Sequence, residues 1–269
     1  MSDKTVVIID SSYYNFYRFF ATASWYNYSP ERREEADGVA WLDNPTFMKT
    51  YEKMWFENIT KITKKFGVQT KDLIFAKDGK KVWRYKLYPE YKATRSRYDD
   101  IHSPYPVFGY TKQKFHLCLR DKGASILHVE RAEGDDIAAV TTRYIRTVFP
   151  NTKIIIITGD HDFLQLSEPN HIELYQLKGF KKITTNDPHT ALMIKILAGD
   201  PSDNIPAIYK GCGKKTAIRL ANNPAELEEI LQKKGREQYK LNRQLVDFDY
   251  IPEGLVEEIE GLLDECLCQ

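Results

Sequence analysis

Three short runs of β-branched and aliphatic residues each end near an aspartate, and this recurrence constrains the fold more than any other feature of the chain. Residues 6–9 run into Asp10, residues 73–76 are followed by Lys77 and Asp78, and residues 154–157 are followed by Thr158, Gly159 and Asp160. Short apolar runs bounded by polar turns read as buried strands. Weaker strand patterns occupy 124–130 and 171–177. Between them lie segments of helical period. In 46–66 the residues Phe47, Tyr51, Met54, Trp55, Ile59, Ile62 and Phe66 recur three to four apart, and Gly67 follows as a stop. Residues 134–149 form a second amphipathic pattern, 111–122 a third, and a helix capped by Asp10 or Ser11 is expected after the first strand. Alternating strands and helices predict an α/β fold with a mostly parallel central sheet. Open sheets of this kind bind ligands outside the carboxyl ends of their strands, where these aspartates fall.

Nine carboxylates share that placement: Asp10, Asp78, Glu133, Asp135, Asp136, Asp160, Asp162, Asp200 and Asp203. Taken singly, each has a plainer reading. Acids in the first turn of a helix, as in E-G-D-D at 133–136, cap free N–H groups and favour the helix dipole. A-G-D-P-S-D-N at 198–204 is rich in turn formers. The conjunction is harder to explain, because gathered carboxylates repel unless cations sit among them. Hard divalent cations such as Mg²⁺ take oxygen ligands and share sites with phosphates. The pattern therefore predicts a two-metal phosphodiester-cleaving centre.

The net charge of +1 does not speak for nucleic acid, but its distribution does. Residues 77–122 hold twelve Lys/Arg against five Asp/Glu, and residues 207–243 hold nine against four. Basic regions flanking an acidic crevice suit a polyanion held by its backbone, although either region alone also reads as solvated surface. Y-K-A-T-R at 91–95, with Arg84, Lys86 and Arg97, interleaves cations with rings, as single-strand contacts require. Residues 80–106 are too polar to read as core, and residues 25–45 read as irregular. G-C-G-K-K-T-A at 211–217 is a Gly-x-Gly turn entering a basic helix, which suits a phosphate; as a tight interhelical turn it would need no ligand. Beyond about residue 187 the pattern is helical only. The expected organisation is an α/β domain over 1–186, carrying a basic arch at about 80–122, and a helical domain over 187–269.

Other chemistries find little support. Cys118, Cys212, Cys266 and Cys268 lack paired spacing, so neither a disulfide framework nor a zinc site is expected. The histidines form no catalytic set. No apolar run approaches the ~18–20 residues that span a membrane, and no signal peptide is expected. A cytoplasmic protein without membrane contact follows.

The order of motifs resembles the 5′ nucleases of the flap endonuclease superfamily, and within it the T-even bacteriophage RNase H type. The markers are VVIID at 6–10, FAKDG at 75–79, YKATR at 91–95, EGDDIAA at 133–139, ITGDHDFLQL at 157–166, LAGDPSDNIP at 197–206, GCGKKTA at 211–217 and NRQLVDFDYIP at 242–252. The resemblance implies a PIN-like α/β nuclease domain followed by a helix-three-turn-helix unit. Asp10, Asp78, Glu133, Asp135 and Asp136 match acids around a first metal, and Asp160, Asp162, Asp200 and Asp203 those at a second. Of these, Asp10, Asp78, Asp136 and Asp160 are expected to matter most for catalysis, together with Lys92 and Arg95 at the base of the arch. Tyr91 is expected to stack on a terminal base. Gly211, Gly213, Lys214 and Lys215 match a helix–hairpin–helix that grips duplex, with K⁺ there. The implied cofactors are two Mg²⁺ or Mn²⁺. The implied activity is 5′→3′ exonuclease and flap endonuclease on DNA–DNA and RNA–DNA duplexes, removing RNA primers in replication. A monomer is expected, with a single-strand-binding protein or sliding clamp as a partner, in the host cytoplasm if phage-encoded. Two other readings share part of the pattern. A PIN-type ribonuclease has no use for a duplex-gripping hairpin, and a non-catalytic DNA-binding protein gains nothing from acids facing a phosphate.

Overall fold

The computed structural model describes residues 4–35, 38–95, 98, 101–185 and 187–267. Arg97 and Cys268 lie outside these, as do residues 96, 99 and 100 of the expected arch. The first strand, β1 (Thr5–Asp10), leads straight into helix α1 (Ser11–Asn27). Asp10 makes that join, because its carboxylate accepts the Tyr13 N–H at 3.0 Å and so caps the helix. Helices α2 (Pro30–Glu35) and α3 (Pro45–Phe66) follow. Gly67 ends α3 in the left-handed region, as its sequence predicts. The segment read as irregular is in fact partly built into the core. Trp41 is buried with its ring 4.4 Å from that of Phe47, and Asn44 both caps α3 and donates to the Tyr26 hydroxyl.

Strand β2 (Leu73–Lys77), the single turn α4 (Arg84–Leu87), helix α5 (Tyr105–Arg120) and strand β3 (Ser125–His128) come next. Helix α6 (Gly134–Val148), β4 (Lys153–Ile157), β5 (Ile172–Tyr175) and β6 (Lys182–Ile183) complete the sheet region. The strand order is β3-β2-β1-β4-β5-β6, parallel except for β6. The chain winds from β1 outward to β3, then crosses to the other side of β1 for β4. The topological switch point therefore lies between β1 and β4, and open α/β sheets take ligands at such a crevice. Asp10 and Asp160 stand at those two strand ends.

Alternating side chains divide the sheet into two buried faces. Val7, Ile9, Leu73, Phe75, Ile155 and Ile157 pack with α1, α3 and α5. Val6, Ile8, Ile74, Ile154 and Ile156 pack with α6. Helices α7 (Pro188–Ala198), α8 (Lys214–Ala221), α9 (Pro224–Lys233), α10 (Arg236–Val246) and α11 (Glu253–Leu267) follow. Of these, α7 to α9 share a small core around Leu197, Ile208, Ala217, Leu220 and Leu231. Helix α11 returns to the sheet, where Leu255, Ile259 and Leu263 join the α6 face. Among the described residues, no helix is long and apolar enough to cross a membrane.

Candidate metal centre and nucleic-acid interface

The nine acids do not form one cluster. They divide into three groups, distinguished by which cations the protein itself supplies. The first group is Asp10, Asp78, Asp135 and Asp160, which line a cavity of about 300 Å³ together with Glu133 of the second group, Lys80, Lys92, Arg95, Phe16 and Tyr85. Asp10 holds the Tyr13 N–H and accepts from the Thr158 hydroxyl at 3.1 Å. Asp78 accepts the Gly134 N–H at 2.6 Å and the Ser12 hydroxyl. A Cβ at Gly134 would lie 3.1 Å from the Ala76 carbonyl oxygen and 3.2 Å from the Asp78 carboxylate. The glycine of E-G-D-D thus lets the start of α6 close onto the end of β2.

No Lys or Arg pairs with any of these four carboxylates among the described residues. Burial, followed by the charges of Asp78 and Asp160, pushes the Asp10 carboxyl up to about 7. Asp135 is raised well above the usual range by burial, Asp10, Asp160 and Glu133. The burial and mutual repulsion felt by Asp10 and Asp135 fit a site for positive charge. Among the described residues, no three His, Cys, Asp or Glu side chains converge closely enough to chelate an ion directly. A cation held there would keep part of its water shell, as Mg²⁺ does.

The second group is Glu133, Asp136 and Asp203, and here the protein provides the cations. Arg84 is buried, with a side-chain exposure of 3%. Its guanidinium donates to Asp136 through two nitrogens at 2.8 Å, to Glu133 at 2.9 Å and to the Leu245 carbonyl at 2.8 Å. Trp83 Nε1 also donates to Asp136, at 3.1 Å, and the Glu133 N–H donates to it at 3.0 Å. Asp136 has no exposed surface and both its oxygens are engaged. Two expectations are corrected here. Arg84 is not available to a phosphate, and Asp136 holds Arg84 and the start of α6 instead of facing the cavity.

The Y-K-A-T-R segment is pinned to this group. Lys92 Nζ pairs with Glu133 and lies 3.8 Å from Asp203, and Arg95 pairs with Asp203 at 2.7 Å. Burial works against the Lys92 ammonium, but Glu133 and Asp203 outweigh it and raise its pKa. Lys92 has φ +58°, the left-handed region that non-glycine residues seldom occupy, and its N–H donates to the Asp203 carbonyl at 2.9 Å. Such strain marks a conformation held by its surroundings. Tyr91 is another correction. It is 4% exposed, packs beside Leu245 and Val246, and its hydroxyl lies 3.0 Å from Glu133 and 3.2 Å from Asp203. It is not free to stack on a base, whereas Tyr85 above it is exposed, 5.7 Å away ring to ring.

The third group is Asp162 and Asp200, joined by Lys195. The Lys195 ammonium pairs with Asp162 and, at 2.7 Å, with Asp200. The sequence reading missed this residue. A usable signal was present: a lone lysine in the apolar run of α7, five residues before Asp200. The expected division into a first and second metal set also shifts, because Asp160 faces Asp10 while Asp203 sides with Glu133.

A larger cavity of about 920 Å³ shares Asp10 and Asp160 with the first and runs past Lys195, Asp200 and Ser202 to Gly213 and Lys214. The Gly-x-Gly turn therefore opens onto the same groove as the acids. Within it Gly211 has φ +96°, while Gly213 has φ −81° and open space around a Cβ. The need for a positive φ falls on Gly211, not on Gly213. Lys215 is exposed beside Lys214, and Lys86 is exposed on α4 without lining either cavity.

A parallel α/β sheet with carboxylates gathered at its switch point, next to a groove edged by lysines, has the fold and site of a phosphate-ester-handling protein. Residues 5–193 match the family model of the 5′-3′ exonuclease N-terminal resolvase-like domain, and the chain belongs to that family. It is 27% identical over 238 residues to a 5′-3′ exonuclease of Buchnera aphidicola, covering 86% of this chain and 74% of that one. It is 29% identical to a 5′-3′ exonuclease of Mycoplasmopsis pulmonis, covering 66% of this chain and 59% of that one, and 28% identical over about half of each chain to the ribonuclease H of phage T4. Its fold matches that of phage T5 5′-exonuclease with bound zinc ions, with TM-score 0.69 and 19% identity, covering 97% of this chain and 99% of that one.

Proposed function

We propose that the protein is a divalent-metal-dependent 5′→3′ exonuclease with flap endonuclease activity. Its substrates on this reading are DNA–DNA and RNA–DNA duplexes with a 5′ end or flap, as in primer removal. One observation carries it: four carboxylates that have no paired cation among the described residues share a cavity with Lys92 and Arg95, and that cavity joins the groove leading to Gly213 and Lys214. The T5 flap endonuclease has been solved with DNA and metal ions, and its fold matches this chain with TM-score 0.68. Asp10, Asp78, Asp135 and Asp160 would hold one metal ion and Asp162 and Asp200 a second, both Mg²⁺ or Mn²⁺. Such ions activate water and offset charge on the leaving oxygen.

The chain's own residues perform the rest. Lys92 and Arg95 line the cavity with Asp10, and their charges suit a phosphate whose negative charge grows during attack. Glu133 and Asp203 hold both cations in place. Arg84 and Asp136 hold Glu133. Exposed Lys214 and Lys215, at the N-terminus of α8, suit the backbone of a duplex, with a K⁺ ion there, while the Cys212 and Gly213 N–H groups bond within the turn to the Tyr209 and Gly211 carbonyls. The helical part from residue 187 would bind duplex while the sheet region over 1–186 cleaves. We assign the protein to the cytoplasm, as a monomer working beside a single-strand-binding protein or sliding clamp.

The test is product mapping on a 5′-labelled flap and on a nicked duplex, with and without Mg²⁺. The expected products are short, 5′-phosphorylated and Mg²⁺-dependent. Asp160→Asn is expected to slow cleavage at least about a hundredfold, the scale of a few kcal/mol of lost transition-state stabilisation. Cleavage that persists undiminished in EDTA, or in the Asp160→Asn protein with Mg²⁺, rejects the proposal.

A further inference from the structure

Charge accounting across the three acid groups gives an unequal result. Glu133, Asp136 and Asp203 carry three negative charges against the three positive charges of Arg84, Lys92 and Arg95. Asp162 and Asp200 carry two against the one of Lys195. Asp10, Asp78, Asp135 and Asp160 carry four against none. Among the described residues only the last group has no Lys or Arg ion-paired to it, although Lys80, Lys92 and Arg95 line its cavity, so an ion from solution has most to gain there.

Lys195 is also unusually well placed. It lies in the last turn of α7, where a cation is favoured by the helix dipole. Its side chain is 22% exposed, so water screens its ion pairs only in part. It lines the large groove beside both its partners. Asp162 follows Asp160 on the turn after β4, so the bridged pair adjoins the open group.

We propose that Lys195 is a built-in occupant of the second cation position. The protein then fills its metal sites in order: one divalent ion enters among Asp10, Asp78, Asp135 and Asp160, and a second reaches Asp162 and Asp200 only after the Lys195 ammonium leaves them. A nucleic-acid phosphate in the groove offers that ammonium an alternative partner of the same charge as the carboxylates. Loading of the second ion would thereby be tied to substrate arrival. This inference rests on the metal-dependent reading above, and the test separates the two.

The probe is Mn²⁺ without nucleic acid, with free ion followed by electron paramagnetic resonance. The parent protein is expected to bind one Mn²⁺, with a second at least about tenfold weaker. Lys195→Met should tighten the second site at least tenfold, and adding Asp200→Asn should abolish the gain. Unchanged or weaker second-site binding in Lys195→Met overturns the proposal while leaving the metal centre standing. Failure of the parent to bind any Mn²⁺ overturns both. Because Lys195→Met leaves two carboxylates facing each other, a second measurement uses the parent itself. With ¹³C-labelled lysine Cε, the Lys195 signal should shift with the weaker Mg²⁺ event. A shift that saturates with the first ion, or none as the second binds, refutes the displacement.

Discussion

Replacing Arg84 with methionine tests the internal ion pairs most directly. The substitution keeps an unbranched side chain but removes the guanidinium, which makes four hydrogen bonds to Asp136, Glu133 and the Leu245 carbonyl. The two carboxylates are 0% and 10% exposed; Asp136 would lose its cation and Glu133 would keep only Lys92. Breaking a buried pair from one side costs roughly 3–5 kcal/mol, because the remaining charge stays buried. For a chain of this size each kcal/mol moves Tm by about 2–4 °C, so a fall of roughly 6–20 °C is expected. The assay is thermal and urea unfolding at pH 7 in EDTA. The double variant Arg84→Met with Asp136→Asn should recover part of the loss, since one uncompensated charge is then gone. If Arg84 instead served a phosphate at the surface, the single variant would weaken duplex binding and leave Tm within about 2 °C. That pattern refutes the buried assignment.

Metal removal should make stability depend on pH in a defined direction. Asp10 rises from 3.8 to about 7 on folding and Asp135 also rises, so the metal-free folded state binds protons more tightly than the unfolded chain. Their contribution is full below about pH 4 and is lost as pH climbs through about 7. Tm in EDTA should therefore fall between pH 5 and pH 8, and Mg²⁺ should flatten the fall; a rise in EDTA over that window contradicts the site described. At the groove, Lys214→Ala with Lys215→Ala should weaken duplex binding and reduce the slope of log affinity against log salt by up to about two phosphate contacts' worth. A titration in Ca²⁺ at several salt concentrations reads this, and an unchanged slope places the duplex elsewhere. Lys92→Ala should lower the single-turnover rate more than the affinity, and the reverse split would make Lys92 an ordinary backbone contact.

The elements that the sequence announced were those whose signal is local. The runs ending at Asp10, Asp78 and Asp160 form parallel strands, and 46–66 forms a helix that stops at Gly67. Their periodicity reports burial directly. What stayed hidden depends on partners far along the chain. Arg84 meets carboxylates 49 and 52 residues away, and nothing in R-Y-K-L distinguishes a buried arginine from a solvated one. Tyr91 gave the same difficulty, because ring-plus-cation composition suits both a stacking platform and a pinned turn. Trp41 and Asn44 looked irregular because a 3₁₀ turn and a cap have no period to read. The grouping of the acids was likewise invisible, since strand-end placement gives proximity but not which cation sits between which pair.

Helix α11 has a consequence for how the molecule is assembled. Phe248, Ile251, Leu255, Ile259 and Leu263 cover the same sheet face as Ile137, Val140 and Ile145 of α6, and Arg131 and Glu258 join the two regions at 2.9 Å. A ribosome that has released β1 to β5 has therefore delivered a sheet with one side covered by α6 but not yet by α11. Contacts between segments this far apart slow folding, because a long loop must close before they form. The nascent chain would wait, with apolar surface exposed, until α11 has emerged. A chain cut after α10 should bind a hydrophobic dye and lose cooperative unfolding even though every carboxylate of the crevice is present.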